Sequence, residues 1–241
     1  MLYTSIENKK IKEIKKLNNK KYRKETGLFI IESEHLIKEA YKSGNLKELI
    51  LLENTEYKLN VETNYVNEKV MKYITELDTI PNMIGICNQL KEKELGNKIL
   101  MLDGIQDPGN LGTIIRSAVA FHIDTIILGH NTVDLYNTKV LRASEGMIFN
   151  INIMEKKLTE FIPELKKMQY KIVGTRVTDG KDIKDLEKNQ KICIIMGNEG
   201  NGISNEILNL CDDYIYIKMA SICESLNVGV ATSIILYEMD K

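Results

Sequence analysis

Short apolar segments alternate with helix-forming segments from residue 99 to the end of the chain. The apolar segments are ILMLD (99–103), TIILG (125–129), MIFNINI (147–153), YKIVGT (170–175), KICIIMG (191–197) and YIYIKM (214–219). Strands that are apolar throughout and separated by helices are typical of a mostly parallel sheet that helices cover. The pattern therefore predicts an α/β fold. Since ligands of such sheets bind beyond the carboxyl ends of the strands, functional residues are expected in the strand-to-helix turns.

The N-terminal part of the chain shows the same alternation on a smaller scale. Its predicted strands are LFII (28–31), KELILL (47–52), TNYV (63–66) and NMIGICNQL (82–90). Its predicted helices are SEHLIKEAYKSG (33–44) and NEKVMKYI (67–74). The polar stretch KEKELGNK (91–98) that follows has the composition of a linker. We therefore predict a small α/β domain in residues 1–95 and a larger α/β domain in residues 96–241.

The composition is that of an ordinary soluble protein. Because the net charge is only −1, a nucleic-acid partner would have to bind a local basic surface. The N-terminus becomes charged too early for a signal peptide, and no stretch approaches about 20 uncharged apolar residues, which predicts a cytoplasmic location. The four cysteines are Cys87, Cys193, Cys211 and Cys223. They have neither C-x-x-C spacing nor a histidine at ligand spacing beside them. We therefore predict no metal site and no disulfide framework.

Residues 9–24 form a strongly basic segment, with nine Lys or Arg residues against one Glu. Because Ile11, Ile14 and Leu17 recur at helical spacing, we predict an amphipathic helix followed by a basic arm. Two interpretations stay open: a solvated surface helix, or a surface whose cations contact RNA phosphates and release their counterions. The candidate RNA-binding residues of this segment are Lys15, Lys16, Lys20, Lys21 and Arg23.

The first strand-to-helix turn, DPGNLGTIIRSAVAF (107–121), has the glycine content of an anion-binding loop. It lacks the lysine of a Walker loop and the G-x-G-x-x-G of a dinucleotide-binding turn. Asn110 is predicted to be the N-cap of the helix that follows. Arg116 lies farther along that helix among apolar residues, where it is either a surface or ion-paired arginine or a functional one.

The second turn, CIIMGNEGNGIS (193–204), has three glycines within six residues, which allows the main chain to approach a ligand closely. Glu199 in its middle argues against a phosphate cradle, because two negative groups would repel each other. The alternative interpretation is a flexible surface loop, with Ser204 as the cap of the next helix. Both interpretations stay open from the residues alone.

The third turn, IKMASICESLNVGVA (217–231), leads into the last helix. Ser225 is predicted to be the N-cap of that helix, and Asn227 to lie in its first turn, either in a buried capping network or in a ligand site. The polar residues singled out in the three turns include no histidine, lysine or cysteine, and so no conventional nucleophile or base. Such a set suits a reaction whose reactive group comes from a cofactor.

In this order and spacing the three turns resemble the motifs of the SpoU (TrmH) family of RNA ribose 2′-O-methyltransferases. The similar segments are DGIQDPGNLGTIIRSA for the first motif, IIMGNEGNGIS for the second, IKMASICESLNVGVA for the third and YNTKVLRASEG (136–146) for a further family segment. NKKYRKETGLFIIESEHLIKEA (19–40) resembles the ribosomal-protein-L30e-like substrate-binding domain of the ribosomal-RNA branch of that family.

The resemblance implies S-adenosylmethionine as methyl donor, a ribose 2′-hydroxyl of structured RNA, above all 23S rRNA, as acceptor, and a homodimer with its site near the interface. It also implies a SPOUT-type parallel-sheet domain whose C-terminal strand and helix form a trefoil knot. Sequence periodicity would not predict that feature, because threaded chains are rare. Arg142, in YNTKVLRASEG, joins the RNA-binding candidates.

Carried over position by position, the resemblance makes Arg116 the catalytic arginine and places Asn110, Glu199, Ser225 and Asn227 in the catalytic pocket. The cofactor-binding residues that it implies are Thr175, Met196, Gly197, Asn198, Ile217, Met219 and Leu226. Because a guanidinium scarcely deprotonates in proteins, we interpret Arg116 as a group that stabilises alkoxide charge or grips the adjacent phosphate, with the proton passing to another acceptor.

The sequence departs from the family pattern at a few positions, none of which removes a polar site residue. Lys218 stands where proline is usual, Ser221-Ile222 where small glycines are usual, and His122 where glycine is frequent. Three alternatives stay open. They are a tRNA or resistance-type rRNA substrate, a non-catalytic RNA-binding or ribosome-assembly protein, and a nucleotide-phosphate-binding α/β enzyme, which the missing lysine disfavours.

Overall fold

A computed structural model describes residues 1–187 and 191–241 of the chain. Their contacts divide the chain into two compact units, Met1–Lys91 with Tyr136–Phe149, and Glu92–Leu135 with Asn150–Lys241. The segment Tyr136–Phe149 thus belongs to the N-terminal unit, although strands of the C-terminal unit precede and follow it along the chain. The two-domain division after residue 95 remains a prediction.

Strands and helices alternate along most of the chain. Within the described residues the strands are β1 Leu2–Tyr3, β2 Leu28–Ile31, β3 Leu46–Leu52, β4 Glu62–Val66, β5 Met83–Asn88, β6 Lys98–Asp103, β7 Thr125–Gly129, β8 Asn152–Lys156, β9 Lys171–Thr175, β10 Lys181–Asp182, β11 Ile192–Gly197 and β12 Asp213–Tyr216. The helices are α1 Lys9–Lys16, α2 Lys20–Thr26, α3 Glu34–Lys42, α4 Glu68–Ile74, α5 Pro108–Ala120, α6 Thr138–Ala143, α7 Leu158–Lys167, α8 Asn205–Leu208 and α9 Val228–Asp240. Single 3-10 turns lie at Met147–Asn150 and Ile183–Asp185. The short strands β1 and β10 and the helix α2 are additions to the predicted elements.

The N-terminal unit is built on a mixed five-stranded sheet with the strand order β1-β4-β3-β5-β2. β4 runs parallel to β1 and β3, whereas β5 is antiparallel to β2 and β3. Ile11 and Ile14 of α1 are buried in one apolar cluster with Ile50, Met71 and Ile84. The amphipathic helix predicted from the spacing of its isoleucines is therefore confirmed.

The basic arm predicted after α1 is wrong, because Lys20–Thr26 form the helix α2. Asn19 caps this helix, since its side chain accepts a hydrogen bond from the main-chain N–H of Lys21 at 2.8 Å. Gly27 ends the helix at φ 66°, in the left-handed region that glycine adopts without strain. Two short helices with separate caps thus replace the predicted helix and basic arm.

Aromatic contacts explain why the segment Tyr136–Phe149 packs with the N-terminal unit. The ring centroid of Phe29 lies 4.5 Å from that of Tyr136 and 6.3 Å from that of Phe149. The main-chain N–H of Leu90 donates to the hydroxyl of Tyr136 at 2.9 Å. Aromatic pairs contribute about 0.5–1.5 kcal/mol beyond their buried area. The segment is therefore an integral part of the core of this unit.

The C-terminal unit is built on a seven-stranded sheet with the order β10-β12-β9-β11-β6-β7-β8. Every pair of neighbouring strands in the described residues is parallel, which confirms the predicted parallel α/β sheet. All residues of β11 are buried, as are the four inner residues of β6. Such continuous burial explains why these strands are apolar without alternation. The trefoil knot that the resemblance implies remains a prediction.

His122, at the end of α5, occupies a position with φ 54°, in the left-handed region that favours glycine. Its Nδ1 lies 3.1 Å from the carboxylate of Asp240, and Nζ of Lys98 lies 3.2 Å from the same group. These bonds from His122 and Lys98 hold the pKa of Asp240 below its ordinary value. The histidine thus gains a contact with the end of α9 at a position where its backbone conformation is unfavourable.

None of the helices in the described parts of the chain combines the length and the apolar character that a membrane span needs. In residues 1–187 and 191–241, no group of three or more His, Cys, Asp or Glu side chains is arranged to hold a metal ion. The cytoplasmic location and the lack of a metal remain predictions. Cys87 and Cys193 are buried, and burial raises the pKa of both thiols, so neither is a reactive thiolate.

Candidate active site

The three turns singled out in the sequence leave the same edge of the parallel sheet. The first follows β6 at Asp103, the second follows β11 at Gly197 and the third follows β12 at Tyr216. β6 and β11 are direct neighbours, and β9 lies between β11 and β12. Because parallel strands all end at one edge, the three turns gather where α/β sheets bind their ligands.

Asp107 caps the helix α5. Pro108 is its first residue, and the side chain of Asp107 accepts a hydrogen bond from the main-chain N–H of Asn110 at 2.8 Å. The predicted N-cap role of Asn110 is therefore wrong. The signal was present in the Asp-Pro pair, because proline suits the first helical position and aspartate suits the cap before it. The side chain of Asn110 is thereby available for contacts outside its own helix.

A chain of side-chain hydrogen bonds joins the three turns through Asn110. Its Nδ2 donates to Oε1 of Glu199 at 3.0 Å, and its Oδ1 accepts from Nδ2 of Asn227 at 2.9 Å. We call Glu199, Asn110 and Asn227 the asparagine bridge. The structure thus brings together three of the predicted catalytic residues, one from each turn.

Glu199 is held as a carboxylate by donors of the first turn. Its Oε1 also accepts from the main-chain N–H of Asp107 at 3.0 Å, and its Oε2 accepts from the N–H of Gln106 at 3.1 Å. Desolvation of the carboxyl opposes ionisation, but the hydrogen bonds from Asn110, Asp107 and Gln106 outweigh it and hold the pKa of Glu199 below its ordinary value. Glu199 is therefore a negatively charged anchor and a poor proton acceptor at neutral pH.

The second turn is closed by its own main chain. Asn198 and Gly202 exchange two N–H to C=O hydrogen bonds of 2.9 Å each, and Nδ2 of Asn198 donates to the carbonyl of Gly104 at 2.8 Å. A Cβ on the buried Gly197 would lie 2.1 Å from the carbonyl carbon of Gly202 and 2.2 Å from the nitrogen of Ile203. Only glycine fits at position 197 without displacement of the turn. These bonds disfavour the interpretation of this turn as a flexible surface loop.

Ser204 occupies the predicted N-cap position of α8, whereas the predicted cap role of Ser225 is wrong. Ser204 precedes α8, but its hydroxyl donates to the carboxylate of Asp103 at 2.8 Å and makes no capping bond to the helix. The N-cap of α9 is Asn227, whose Oδ1 accepts from the N–H of Gly229 at 2.9 Å. Ser225 is exposed in the segment before that helix. Asn227 therefore fixes the start of α9 and one end of the asparagine bridge at once.

A cavity of about 510 Å³ opens at the same edge of the sheet. Its walls come from the ends of β9, β11 and β12 and from the first turns of α9. Seven predicted cofactor-binding residues line it together with Glu199 and Ser225, and they are Thr175, Met196, Gly197, Asn198, Ile217, Met219 and Leu226. Its volume lies within the range of roughly 300–1,000 Å³ that is usual for small-molecule sites.

The residues around the cavity fit S-adenosylmethionine. Met196, Ile217 and Leu226 offer apolar surface to an adenine ring and a thioether chain, and Gly197 leaves room for close approach to the main chain. Residues 217–227 lie outside the regular strands and helices, so that their main-chain N–H and C=O groups can bind a ligand. Among the described residues of the lining there is no lysine, so the cavity is poorly suited to a polyphosphate.

In the described residues Arg116 makes no hydrogen bond to the asparagine bridge through its guanidinium. It is exposed on α5 and does not line the cavity. In the described parts of the chain it has no hydrogen bond and no ion pair through its guanidinium, so the ion-pair interpretation of this residue finds no partner there. Its catalytic role remains a prediction that the positions of the other site residues do not test.

The lysines predicted to contact RNA differ from their neighbours on α1. In the described residues no carboxylate pairs with any of the four, which are Lys15, Lys16, Lys20 and Lys21. Lys15 is half-buried and the other three are exposed. Lys10 and Lys12 of the same helix are instead paired with Glu48 and Glu7 respectively. The unpaired lysines therefore leave positive charge uncompensated on this part of the surface.

Arg23 and Arg142, the other RNA-binding candidates, differ in exposure. Arg23 is only 7% exposed, and its Nη1 donates to the carbonyl of Leu17 at 2.8 Å. This burial removes Arg23 from the set of surface residues that we propose for RNA. Arg142 is exposed on α6 near the buried Glu32. Burial raises the pKa of Glu32, and the positive charge of Arg142 offsets part of that rise.

The loop that follows β9 was not predicted from the sequence to be part of the site. This loop lines the cavity with Arg176, Val177, Thr178 and Asp179. No motif marks these residues, and the signal that could have found them was their place after a parallel strand next to β11. The missed loop brings an arginine to the wall of the cavity.

Most of the chain is similar to known protein families and to a known protein. Residues 97–237 match the model of the SpoU rRNA Methylase family, and residues 8–85 match that of the MRM3-like substrate binding domain. The chain is 36% identical to the 23S rRNA (guanosine(2553)-2′-O)-methyltransferase RlmP of Bacillus subtilis strain 168, over 98% of this chain and 97% of that protein.

Solved structures agree with the family models. The crystal structure of an AdoMet-bound rRNA methyltransferase from Sinorhizobium meliloti matches with a TM-score of 0.87 at 29% identity, covering 99% of this chain and 97% of that one. A crystal structure of an RNA 2′-O ribose methyltransferase matches with a TM-score of 0.82 at 26% identity, covering 99% and 98%. The resemblance predicted from the three turns is confirmed, and the chain belongs to the SpoU family of S-adenosylmethionine-dependent RNA methyltransferases.

Proposed function

We propose that this chain transfers a methyl group from S-adenosylmethionine to a ribose 2′-hydroxyl of structured RNA, and that 23S rRNA is its substrate. The observation that carries the proposal is the cavity at the sheet edge, where Glu199, Ser225 and the cofactor-binding candidates meet. The name of the Bacillus subtilis relative, a 23S rRNA (guanosine(2553)-2′-O)-methyltransferase, supports both the acceptor atom and the class of RNA.

Main-chain and side-chain groups of the cavity would both contact the cofactor. Main-chain groups of Gly197, Ile217 and Leu226 would bind S-adenosylmethionine, with the side chains of Thr175 and Met219 beside them. When bound, the cofactor supplies an electrophilic methyl group, so the protein needs no nucleophile of its own. The protein must orient the ribose oxygen and stabilise the charge that develops there.

We assign that charge stabilisation to Arg116. Its guanidinium stays protonated in proteins, so it can lower the energy of a negative ribose oxygen but does not act as the base. Glu199 does not take the proton either, because its oxygens already accept from Asn110, Asp107 and Gln106. The role of Glu199 is to hold the first and second turns together so that the cavity keeps its shape.

We also propose that the protein is a homodimer with its site near the interface and that its C-terminal segment is knotted, as the family resemblance implies. Val230 and Tyr237, seven residues apart on α9, are 48% and 51% exposed. Large apolar side chains on one helix face favour a protein contact. Light scattering of the purified protein measures its mass, and a monomer at micromolar concentration would contradict the dimer.

The main test is methyl transfer to defined RNAs. The purified protein with labelled S-adenosylmethionine is expected to yield a 2′-O-methylated nucleoside in a digest of unmethylated 23S rRNA, and sites of ribose methylation in cells with and without the protein would locate the nucleotide. Transfer to tRNA alone would make tRNA the substrate. Cofactor binding without transfer to either RNA would favour a non-catalytic RNA-binding protein.

The unpaired lysines give a separate prediction for RNA binding. Lys15 and Lys16 lie 5.7 Å and 5.6 Å from the ring centroids of Tyr73 and Tyr22. Lysines beside aromatic rings suit RNA, because phosphates contact the cations and bases stack on the rings. Replacing Lys15, Lys16, Lys20 and Lys21 by alanine is expected to lower the slope of log affinity against log salt by about 3, at roughly 0.7 per lost contact. Filter binding at several salt concentrations measures the slope.

Two single variants on α1 provide a matched control for that experiment. Lys16→Ala is expected to weaken RNA binding, whereas Lys12→Ala should have a smaller effect because Glu7 already neutralises Lys12. Cofactor affinity should be unchanged in all these variants. Equal RNA affinity for the fourfold variant and the unmodified protein would mean that these lysines only solvate the surface.

A further inference from the structure

The wall of the cavity carries charges of both signs. Among the described residues that line it, the charged ones are Arg176, Asp179 and Glu199. S-Adenosylmethionine carries a positive sulfonium, a positive ammonium and a negative carboxylate. The two carboxylates and one guanidinium of the wall thus complement the two cations and one anion of the ligand. Complementary charges fix the orientation of a ligand.

Arg176 is held in place at this wall. Its Cζ lies 3.8 Å from the ring centroid of Tyr214, which is the distance of a guanidinium stacked on an aromatic ring. Its main-chain N–H donates to the carbonyl of Ile215 at 2.9 Å, so both ends of the residue are attached to β12. A guanidinium that stacks through its face keeps its N–H groups at the edge available for an acceptor.

In the part of the chain that the structure describes, the guanidinium of Arg176 has no acceptor. In the described residues no carboxylate forms an ion pair with Arg176, although many of the surface lysines are paired. Asp179 is three residues away, and its carboxylate accepts a hydrogen bond from the hydroxyl of Thr178 at 3.1 Å. A positioned and unpaired arginine on the wall of a ligand cavity is well suited to bind an anionic group of the ligand.

We infer that Arg176 binds the α-carboxylate of S-adenosylmethionine and so selects the intact amino acid end of the cofactor, an inference that rests on the proposed function. The planar guanidinium matches a carboxylate through two parallel hydrogen bonds, which a lysine could not reproduce. Arg176 is thereby a specificity-determining residue for the cofactor and takes no part in the transfer itself.

Isothermal titration calorimetry with two ligands tests this inference. The unmodified protein is expected to bind S-adenosylmethionine more tightly than decarboxylated S-adenosylmethionine, which keeps the sulfonium and the amine but lacks the carboxylate. Arg176→Ala should weaken S-adenosylmethionine binding about 10- to 100-fold, the range for a hydrogen bond between charged groups, and leave the decarboxylated ligand nearly unaffected. The preference between the two ligands should therefore disappear.

Two further variants separate charge from shape. Lys184→Ala removes one positive charge from an exposed residue outside the cavity lining and should keep the preference for the carboxylate. Arg176→Lys should restore only part of it. Thermal melting of each variant shows whether it is folded, and Arg176 is exposed, so its substitution should leave the melting temperature almost unchanged.

The outcomes distinguish the sources of the anionic group. If Arg176→Ala keeps the full preference for the carboxylate but lowers RNA affinity and its salt dependence, the arginine binds an RNA phosphate and the inference is overturned. An unchanged preference with unchanged RNA affinity also overturns it. If the unmodified protein binds neither cofactor ligand, the proposed function itself fails, which is a different result from a loss of selectivity.

Discussion

Replacing Gly197 by alanine is expected to abolish measurable binding of S-adenosylmethionine. The new Cβ would lie 2.1 Å from the carbonyl carbon of Gly202 and 2.2 Å from the nitrogen of Ile203. Both are main-chain atoms, so no side chain can rotate away and the second turn must shift as a whole. Because this turn lines the cavity, its displacement removes part of the binding surface. Overpacking of this kind also destabilises a protein by about 1–3 kcal/mol.

The same turn offers a matched control in Gly200→Ala. A Cβ at position 200 would meet only Oδ1 of Asn198, at 3.6 Å, which is ordinary van der Waals contact. Its effect on stability should stay within about 0.5 kcal/mol, as for most surface substitutions. Calorimetry and thermal melting of both variants measure the two quantities. If Gly197→Ala binds the cofactor as tightly as the unmodified protein does, this turn lies outside the cofactor site.

Arg116→Ala is expected to lower kcat for methyl transfer by about 100- to 1,000-fold, the range observed when one preorganised donor to a developing negative charge is removed. The dissociation constant of S-adenosylmethionine should not change, because Arg116 does not line the cavity. Arg116→Lys should recover only a small part of the rate, since an ammonium lacks the planar donors of the guanidinium. Single-turnover measurements at saturating RNA separate the transfer step from RNA binding.

Lys167→Ala is the control for the loss of one positive charge. Lys167 is exposed on α7 in the same unit and lies outside the cavity lining, so its removal should leave kcat unchanged. Near-normal turnover of Arg116→Lys at neutral pH would rule out a role that is specific to the guanidinium. A rate loss in Arg116→Ala that is matched by weaker cofactor binding would instead point to a structural role.

The parallel sheet and the residues of the cavity were predictable for different reasons. Strands such as β6 and β11 are apolar along their length, and that pattern fits only strands covered on both faces. Most of the predicted cavity residues came from the second and third motifs, whose turns leave one edge of that sheet. Their meeting in space follows from the strand order, which motif spacing alone does not determine.

The helix caps were harder to predict, because several suitable residues stand close together. Asp107 and Asn110 are both good caps by residue type, as are Ser225 and Asn227. The choice depends on where each helix begins, and Pro108 marks that point for α5. No comparable marker precedes α9. The caps lie three residues before Asn110 and two residues after Ser225, the predicted positions. With these helix starts the side chains of Asn110 and Asn227 bond to each other.

The remaining differences between the predicted and the observed site residues result from tertiary contacts. The sequence shows Arg23 as one cation in a basic segment, and only the fold of α2 buries it against the carbonyl of Leu17. Arg176 has no motif around it, and its place on the wall of the cavity depends on the pairing of β9 with β12. Local patterns cannot contain such information, because the contacting residues are far apart in sequence or belong to a neighbouring strand.

The aromatic contacts of Phe29 also bear on how such a protein can be cut or recombined. A fragment that ends at residue 95 would contain Phe29 without Tyr136 and Phe149, the rings on which it packs. It would also lack α6, which belongs to the same compact unit. The N-terminal unit is therefore not a contiguous module that recombination could exchange in one piece, since its completion depends on a segment encoded within the second half of the chain.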